Sequence, residues 1–358
     1  MFELRRSILP GLAALLVAGC GSSGGSEGGS GDTEDFSAVL EGAVHDVIIP
    51  TYADLRDAAD ALHEGAQALH GAPTPENLAA AKEAWVAARV PWEQSEGFLF
   101  GPVSDLGLDP ALDSWPVDHV QLNQVLASSL TLTADTLREN LGGGLKGFHT
   151  IEYLLWGDHD KTAAQLTERE LEYLVAACEA LSLDATTLHE AWVGEDGYGA
   201  GFVLAGSEGG LFYSQRDAVQ QLINGMADIC DEVANGKIAD PFTAGDPMLV
   251  ESQFSYNSIQ DFADNLRSIE NVYSGARGSV ATGSLSAFVE TKDAALDARV
   301  HSEIDAAIAA IYAISEDGEP FRDAITNSLK QDEIEGAQAA IRTLMNTVRG
   351  DLTSLVAN

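Results

Sequence analysis

The sequence predicts an all-α protein whose body divides into two comparable halves. Apolar residues recur at spacings of three and four along most of the chain, and several helix-capping motifs are present. Alternating apolar and polar runs joined by Asn-Gly or Asp-Gly turns are not seen in the sequence. Glycine-rich breaks at 142–144 and 194–210 separate the halves, at about 36–195 and 196–358.

The first predicted helices lie between residues 36 and 75. Their apolar positions are spaced by three and four, and the stripe resumes after Pro50: Phe36, Leu40, Val44, Val47, Leu55, Leu62, Ala66 and Leu69. Thr74 and Pro75 are typical of an N-cap and a first helical position, since proline loses no hydrogen bond there. A new helix is therefore predicted to begin at Pro75.

Two further helices are predicted from clear local signals. The residues from Thr167 to Glu170 form a capping box, with Leu166 and Leu171 placed as a hydrophobic staple, so a helix is expected to run to about His189. The C-terminal segment has one continuous apolar face, made by Ile334, Ala337, Ile341, Leu344, Val348, Leu352 and Leu355.

The composition excludes several classes of function. The chain of 358 residues has 19 Lys and Arg against 56 Asp and Glu, which gives a formal charge of −37. Such a polyanion repels nucleic acid, whose binding depends on basic groups that displace counterions, so no nucleic-acid partner is expected. With 45% hydrophobic residues the chain can bury a large core, which excludes global disorder.

The first residues indicate export and lipid anchoring. Arg5 and Arg6 precede an apolar stretch at 8–18 that is too short to span a bilayer, which is typical of a secretory signal peptide. The following Val17-Ala18-Gly19-Cys20 resembles a bacterial lipobox, in which the cysteine is acylated. We therefore predict a signal peptide at 1–19, a lipidated Cys20 with a Gly/Ser tether at 20–35, and a folded domain at 36–358.

This leader predicts a location in the bacterial cell envelope, periplasmic or surface-exposed, with the membrane as a partner through the acyl chains. The flexible tether would let a folded body stand away from that membrane. An ordinary signal peptide with a chance cysteine is the alternative interpretation.

The three cysteines are too few for a disulfide scaffold, and no CxxC pair indicates a thiolate zinc site. Any metal must therefore be held by nitrogen and oxygen. Cys178 and Cys230 occupy apolar helical positions, and the sequence leaves open whether they are buried thiols or a disulfide.

The strongest chemical motif runs from Gly147 to Glu152, Gly-Phe-His-Thr-Ile-Glu. On a helix His149 and Glu152, three positions apart, are neighbours, so an imidazole and a carboxylate can converge on one cation. Apolar residues on both sides predict that the pair is partly buried and needs a partner. A metal would serve, and so would an arginine or a tyrosine.

Acidic residues upstream of this motif are further candidates. Glu93 and Glu96 lie three positions apart among aromatic residues, beside the helix-kinking Pro91. Glu96 is the better candidate because large apolar residues follow it, whereas Glu93 could lie on a solvated face. Asp113 lies in a turn-like segment, where it caps a helix or completes a site; local sequence favours the cap.

A short sequence motif, Glu-x4-Gly, is found in both predicted halves of the folded domain. Glu96 and Gly101 enclose four residues, and so do Glu270 and Gly275, each time near the end of a long helical stretch. By itself a six-residue motif is weak evidence of duplication.

Five longer runs make the chain resemble the imelysin family. They occur in that family's order and span nearly the whole exported body: RVPWEQSEGFLFGP, LDSWPVD, GFHTIEYLLWGD, EVANGKIADPF and SQFSYNSIQDFADNLRSIENVYSG. The family's signature, Gly-x-His-x-x-Glu, is matched by Gly147, His149 and Glu152. The resemblance implies two packed helical-bundle halves with a site between them. Two such halves would explain why the Glu-x4-Gly motif is found in both.

The resemblance also implies a ligand set. Metal-binding members of the wider family suggest Glu96 and Asp113 as the ligands that join His149 and Glu152. Further residues around that site are implied less directly: His119 and Glu270 as reserve ligands, and Asn271 and Tyr273 either as site-lining or as packing residues. One imidazole with carboxylates suits a di- or trivalent metal, with iron favoured and zinc an alternative.

Two functions compete within the family that the chain resembles. Some members are implicated in iron uptake, which would require an iron-transport or other envelope partner, and the founding member is an insulin-cleaving metallopeptidase. A peptidase needs a base beside a metal-bound water, and if all four candidate residues bind metal no base remains nearby in sequence. We therefore favour metal binding for iron uptake over the peptidase. The third hypothesis is a helical surface lipoprotein without metal.

Overall fold

Helices form all the regular secondary structure of the residues that the computed structural model describes, 34–158 and 160–358. The α-helices are α1 (Ser37–Gly42), α2 (Ile49–Gly71), α3 (Pro75–Glu93), α4 (Pro102–Asp105), α5 (Asp109–Leu112), α6 (His119–Ala127), α7 (Ala134–Asn140), α8 (Gly147–Trp156), α9 (Glu168–Trp192), α10 (Tyr198–Val203), α11 (Gln215–Asp231), α12 (Ala239–Ala244), α13 (Ser258–Ser274), α14 (Leu285–Lys292), α15 (Ala294–Ile314), α16 (Phe321–Ala324), α17 (Gln331–Thr347) and α18 (Thr353–Ala357).

Shorter helical turns complete the list. The 3₁₀ turns are Glu96–Phe98, Gly143–Leu145, Ala163–Gln165 and Pro247–Leu249, and the π-helical turns are Ala43–Ile48, Glu232–Lys237 and Val348–Leu352. No strand occurs in the described ranges, so the all-α prediction is confirmed. The predicted signal peptide, the lipidated Cys20 and nearly all of the tether lie outside the described residues.

The helix starts predicted from capping chemistry are confirmed. The Thr74 side chain accepts a hydrogen bond from the Asn77 amide, with Pro75 in the first turn of α3. Thr167 and Glu170 form the reciprocal capping box of α9, which ends three residues beyond the predicted His189. These ends were predictable because a cap depends only on neighbours in sequence.

Three long helices contain a π-helical turn that the apolar pattern did not predict. In such a turn the hydrogen bonds run from residue i to i+5, so the turn holds one residue more than an α-helical turn. The predicted C-terminal helix is thus α17 and α18 joined through Val348–Leu352. The apolar positions of this face are buried apart from Leu355, which is partly buried against the core, so the spacing of the stripe tolerates the wider turn.

Packing brings two groups of helices around one core. Helix α2 packs against α3 and α9, and α8 packs against the same two helices. In the second group α15 packs against α13 and α17, while α11 packs against α13 and α17. Helix α13 also contacts α3 and the turn Glu96–Phe98, which joins the groups within one compact unit, Asp35–Asn358. The division into halves near residue 195 stays a prediction.

Two further properties of the described chain bear on the sequence predictions. None of its helices combines the length and the apolar character that crossing a bilayer requires. Cys178 in α9 and Cys230 in α11 are both buried free thiols. Burial raises the pKa of both thiols well above its usual value, so neither is a reactive thiolate.

Candidate metal centre

Helix α8 places the His149 imidazole in the interior of the protein. Most of its apolar residues are fully buried, and His149 and Glu152 are buried with them. The helix begins at Gly147, which has a φ of +74° and lies so close to the backbone of Leu112 that a Cβ would overlap the carbonyl oxygen. Only glycine fits this position, and it brings α8 directly against the segment that carries Asp113.

The Asp113 carboxylate is fixed by donors from α3. Its Oδ2 accepts a hydrogen bond of 2.7 Å from Trp92 Nε1, and its Oδ1 accepts one from the Arg89 guanidinium. Helix α3 is itself attached to α8, because Trp85 Nε1 donates to the Phe148 carbonyl at 2.9 Å. Asp113 is the C-cap residue of α5, but its side chain pairs with these buried donors and does not cap a helix.

Arg89 is the central cation of a buried cluster of charged side chains, which also includes Lys237, His149 and the carboxyl groups around them. Its side chain has no exposed surface, and its guanidinium contacts four carboxylates, those of Glu93, Asp113, Glu251 and Asp261. The distances to Glu251 and Asp261 are 2.9 and 3.4 Å. The planar fork of arginine suits such multiple pairing better than an ammonium would.

Lys237 supplies the second buried cation from the π-helical turn Glu232–Lys237. Its ammonium donates to Glu96 Oε1 at 3.1 Å, to Glu251 Oε1 at 3.2 Å and to Glu93 Oε2 at 3.3 Å. The three carboxylates come from a helix end, a 3₁₀ turn and a loop. Lys237 therefore stands where these three elements meet.

The loop between residues 250 and 257 carries Glu251 into the cluster. Ser252 and Tyr256 in this loop have positive φ values of 51° and 62°, which non-glycine residues rarely adopt. The loop is held by Glu152, whose Oε1 accepts hydrogen bonds from the amides of Phe254 and Ser255 at 3.0 and 2.7 Å. The Ser255 hydroxyl donates to the same oxygen at 2.7 Å. Glu152 thus ties α8 to this strained loop.

The two nitrogens of His149 face different carboxylates. Nδ1 lies 3.2 Å from Glu152 Oε2, and Nε2 lies 3.0 Å from Asp113 Oδ1 and 3.8 Å from Glu251 Oε1. Nε2 is buried and has no well-aligned hydrogen bond. Because Glu152 holds Nδ1, the second ring nitrogen is directed at Asp113 and Glu251.

Negative groups exceed positive groups in the cluster. Six buried carboxyl groups surround three basic groups, Arg89, Lys237 and His149; the acids are Glu93, Glu96, Asp113, Glu152, Glu251 and Asp261. Buried charge without a partner is costly, so this excess calls for protons or for an added cation.

The pKa shifts divide the acids into two kinds. Burial raises the pKa of Glu93 and Glu96 more than the neighbouring cations lower it. Burial acts on Asp113 in the same way, but there Arg89 and His149 prevail and lower its pKa. For Glu251, Lys237 and His149 outweigh burial and lower the pKa to about 2. The lowered pKa values keep the two acids that face His149 Nε2 ionised.

Donor atoms from several of these residues lie close enough together to reach a common cation. One atom each from Asp113, His149 and Glu251 lie within 4.8 Å of one another, and the same holds for Glu93, Glu96, Asp113 and Glu251. Three buried atoms make ion-pair contacts but no well-aligned hydrogen bond: His149 Nε2, Glu96 Oε2 and Glu251 Oε2. An oxygen-rich shell with one imidazole fits iron, manganese or zinc and does not suit Cu(I).

Comparison with known proteins settles the family. The imelysin family model matches residues 48–348, which is most of the chain. The chain belongs to the imelysin family. The resemblance seen in the five sequence runs is therefore confirmed.

Several imelysin relatives cover nearly the whole chain. Iron-regulated protein A of Synechococcus elongatus is 29% identical over 355 residues, which are 98% of this chain and 95% of that protein. The crystal structure of a candidate iron-regulated protein A precursor from Parabacteroides distasonis has a TM-score of 0.81 and 31% identity, covering 91% of this chain and 96% of that one. An imelysin-like protein from Psychrobacter arcticum shares the fold, with a TM-score of 0.73 at 16% identity over 90% of this chain and 95% of that one.

The structure places the four ligands that were predicted from the imelysin resemblance in different relations to one another. His149 and Asp113 are adjacent and share a donor group with Glu251. Glu96 shares a second donor group with Glu93, Asp113 and Glu251, which does not include His149. Glu152 contacts only the Nδ1 side of His149 and belongs to neither group of donor atoms that could share an ion. Metal ligation by these residues stays a prediction.

The reserve and lining residues lie at the edge of the cluster or away from it. His119 packs edge-on against Tyr153 and Phe254, on the side of the loop that Glu152 holds. Glu270, Asn271 and Tyr273 lie in the second half of α13, and the Tyr273 hydroxyl donates to Asp297 at 2.9 Å. Tyr273 is twelve positions from Asp261, about 18 Å along the helix.

Sequence reasoning missed several members of the cluster. Glu93, for which the sequence left a solvated face open, is fully buried against Arg89 and Lys237. Arg89 four positions before Glu93 on an apolar helix was an available signal of a buried pair. Glu251 and Asp261 have no such signal, because their partners are about 160 to 170 residues away in sequence.

The charge of His149 gives a pH-dependent prediction. Burial would lower its pKa, but Asp113 and the other carboxylates raise it well above the ordinary 6.5. The imidazolium therefore stabilises the metal-free protein below pH 6.5, and that stability is lost as the pH rises through the higher folded pKa. We expect the free energy of unfolding of the metal-free protein to fall with rising pH above 6.5, measured by urea unfolding at a series of pH values.

The His149→Gln variant is the control for this experiment, since it keeps a polar side chain that does not titrate. Its stability should lack the part of the pH slope that His149 contributes. Equal slopes in the two proteins would show that His149 is neutral in the folded state.

Proposed function

We propose that this imelysin family protein binds a di- or trivalent metal ion, iron by preference, in the buried cluster and takes part in iron uptake at the bacterial cell envelope. The observation that carries the proposal is the buried excess of carboxyl groups over basic groups, with His149 Nε2 directed at two ionised acids. A bound cation would compensate this excess. Iron is favoured by the oxygen-rich donors and by the relatives named iron-regulated protein A.

Each residue has a distinct role in this proposal. Asp113, His149 and Glu251 would hold the ion, with Glu96 as a further ligand from the adjoining carboxylate group. Glu152 would not bind the metal but would orient the imidazole through Nδ1 and hold the loop of Glu251. Such support from behind a ligand is common in metal sites and affects affinity strongly.

The envelope part of the proposal rests on the leader sequence. An acylated Cys20 would anchor the protein at a membrane, and the Gly/Ser tether would leave the folded body free to meet an iron-transport partner. The strong negative charge of the chain would raise the local concentration of cations around it.

A metal titration tests this proposal. We expect stoichiometric binding of Fe²⁺ under anaerobic conditions. In the His149→Ala variant we expect a loss of affinity of more than about 10-fold, because losing a ligand costs at least as much as losing a residue that supports one. Isothermal titration calorimetry with Fe²⁺, Mn²⁺ and Zn²⁺ would measure both the stoichiometry and the preference among metals. The matched control is His45→Ala, because His45 is an exposed histidine on the π-helical turn Ala43–Ile48.

Two outcomes would contradict the proposal. If the wild-type protein takes up no metal, the cluster is a structural ion-pair network and the protein is a helical lipoprotein without metal. If an unfolded polypeptide is cleaved in a reaction that needs both the metal and Glu152, the protein is a metallopeptidase. In the latter case Glu152→Gln would abolish cleavage even at metal concentrations that saturate the site.

A further inference from the structure

An ion that binds the cluster must cross the protein surface, because His149, Asp113 and Glu251 are each at least 97% buried. Glu96 differs from these three residues because it also lines a cavity, which has a volume of about 240 Å³. Its Oε2 lies 3.0 Å from the Lys237 ammonium inside the cluster. Glu96 therefore belongs both to the cluster and to the wall of this cavity.

The walls of the cavity come from α11, α5 and the segment around the Glu96–Phe98 turn. The residues that line it are Glu96, Leu99, Phe100, Asp109, Gln221, Gly225, Asp228, Ile229 and Glu232. Its four titratable residues are all acidic. Asp228 at the exposed end also contacts Arg349 at 3.2 Å. A confined space with one sign of charge concentrates ions of the opposite sign.

Close backbone packing holds the acidic face of α11 against the turn of Glu96. A Cβ on Gly225 would overlap the carbonyl oxygen of Gly97, so a side chain at this point would separate the two elements. Gly97 itself packs closely against the side chain of Ser268 in α13. The cavity is therefore part of the rigid junction between the two helix groups.

The helix that forms the cavity wall continues into the cluster. Asp228 and Glu232 line the cavity, and the π-helical turn that begins at Glu232 ends at Lys237. Glu232 is close enough to act on both inner groups: after burial and Lys237 it is the next influence on the pKa of Glu96, and it also acts on Lys237. Acidic groups thus follow one another from the surface to the cluster.

From this arrangement we propose that the acidic cavity is the route by which the metal ion enters and leaves the cluster, with Glu96 as the last carboxylate on the way and Lys237 as the cation that the ion displaces. This inference rests on the proposed function, since it concerns the path to that same site. Asp228 and Glu232 attract the ion, and neither is a final ligand.

Stopped-flow kinetics with Fe²⁺ under anaerobic conditions tests the route. Quenching of tryptophan fluorescence can report arrival, because Trp92 Nε1 lies 2.7 Å from Asp113. In the double variant Asp228→Asn/Glu232→Gln we expect the association rate constant to fall about tenfold at low ionic strength, and the difference to shrink in high salt. The matched control is Asp305→Asn/Glu316→Gln, which removes the same charge from exposed positions that do not line the cavity.

A second variant distinguishes a route from a binding site. Gln221→Phe places a ring in the cavity without changing its charge, so we expect association and dissociation to slow by the same factor with the Kd unchanged. If wild-type protein binds Fe²⁺ but both cavity variants load at its rate, the route is wrong and the proposed function stands. If wild-type protein binds no Fe²⁺, the proposed function fails and the route fails with it.

Discussion

Replacing Arg89 with methionine is expected to lower the free energy of unfolding by about 3–5 kcal/mol, the range found when one partner of a buried ion pair is removed. The guanidinium is fully buried, and its loss leaves four carboxylates without their shared cation: Glu93, Asp113, Glu251 and Asp261. Methionine fills most of the space, so the loss reflects charge more than volume. Urea unfolding of the metal-free protein would measure it.

Two comparisons make this result interpretable. Arg89→Lys keeps the charge but loses the planar fork, so a smaller loss is expected. Arg56→Met removes a partly exposed arginine that pairs with the exposed Asp57, where a change below about 1 kcal/mol is expected. An Arg89→Met loss as small as that of Arg56→Met would mean that the buried acids are protonated and do not need the guanidinium.

Replacing Lys237 with methionine is expected to make the stability of the protein depend on metal. The ammonium lies 3.0–3.3 Å from Glu93, Glu96 and Glu251, so its removal without metal should cost about 3–5 kcal/mol. A divalent ion can take the place of the ammonium among these carboxylates. An ion that binds only the folded state raises the free energy of unfolding. Saturating Mn²⁺ should therefore raise the Tm of Lys237→Met by more than it raises that of the wild type.

Lys161→Met provides the matched control, since Lys161 pairs with a single carboxylate, Glu170, near the surface. Its Tm should respond to Mn²⁺ as the wild type does. An equal metal response in Lys237→Met and the wild type would show that no ion takes the place of the ammonium.

Local sequence was enough to predict much of the fold. The starts of α3 and α9 follow from Thr74 and Thr167, because a capping side chain bonds to residues three positions away. The π-helical turns could not be predicted in the same way. A helix with one extra residue in a π-helical turn can still bury its apolar face. The spacing of the apolar residues therefore does not reveal the wider turn.

The candidate site was only partly predictable for a related reason. His149 and Glu152 stand three positions apart on one helix, so their proximity can be read locally. Glu251 reaches His149 only because Glu152 holds a loop about 100 residues further along the chain. The assignment of Glu152 to metal binding or to support depends on that hydrogen bonding, which no spacing in the sequence encodes.

The π-helical turn before Lys237 has a consequence for how this protein can change. An ordinary α-helix advances about 100° per residue, so a chain one residue shorter at this turn would keep its helix but rotate the lysine by that angle. The carboxylates would then lose the Lys237 ammonium as a counterion, although the sequence would still contain every residue of the cluster. Deletions here are therefore expected to be far less tolerable than substitutions of exposed residues on the same helix.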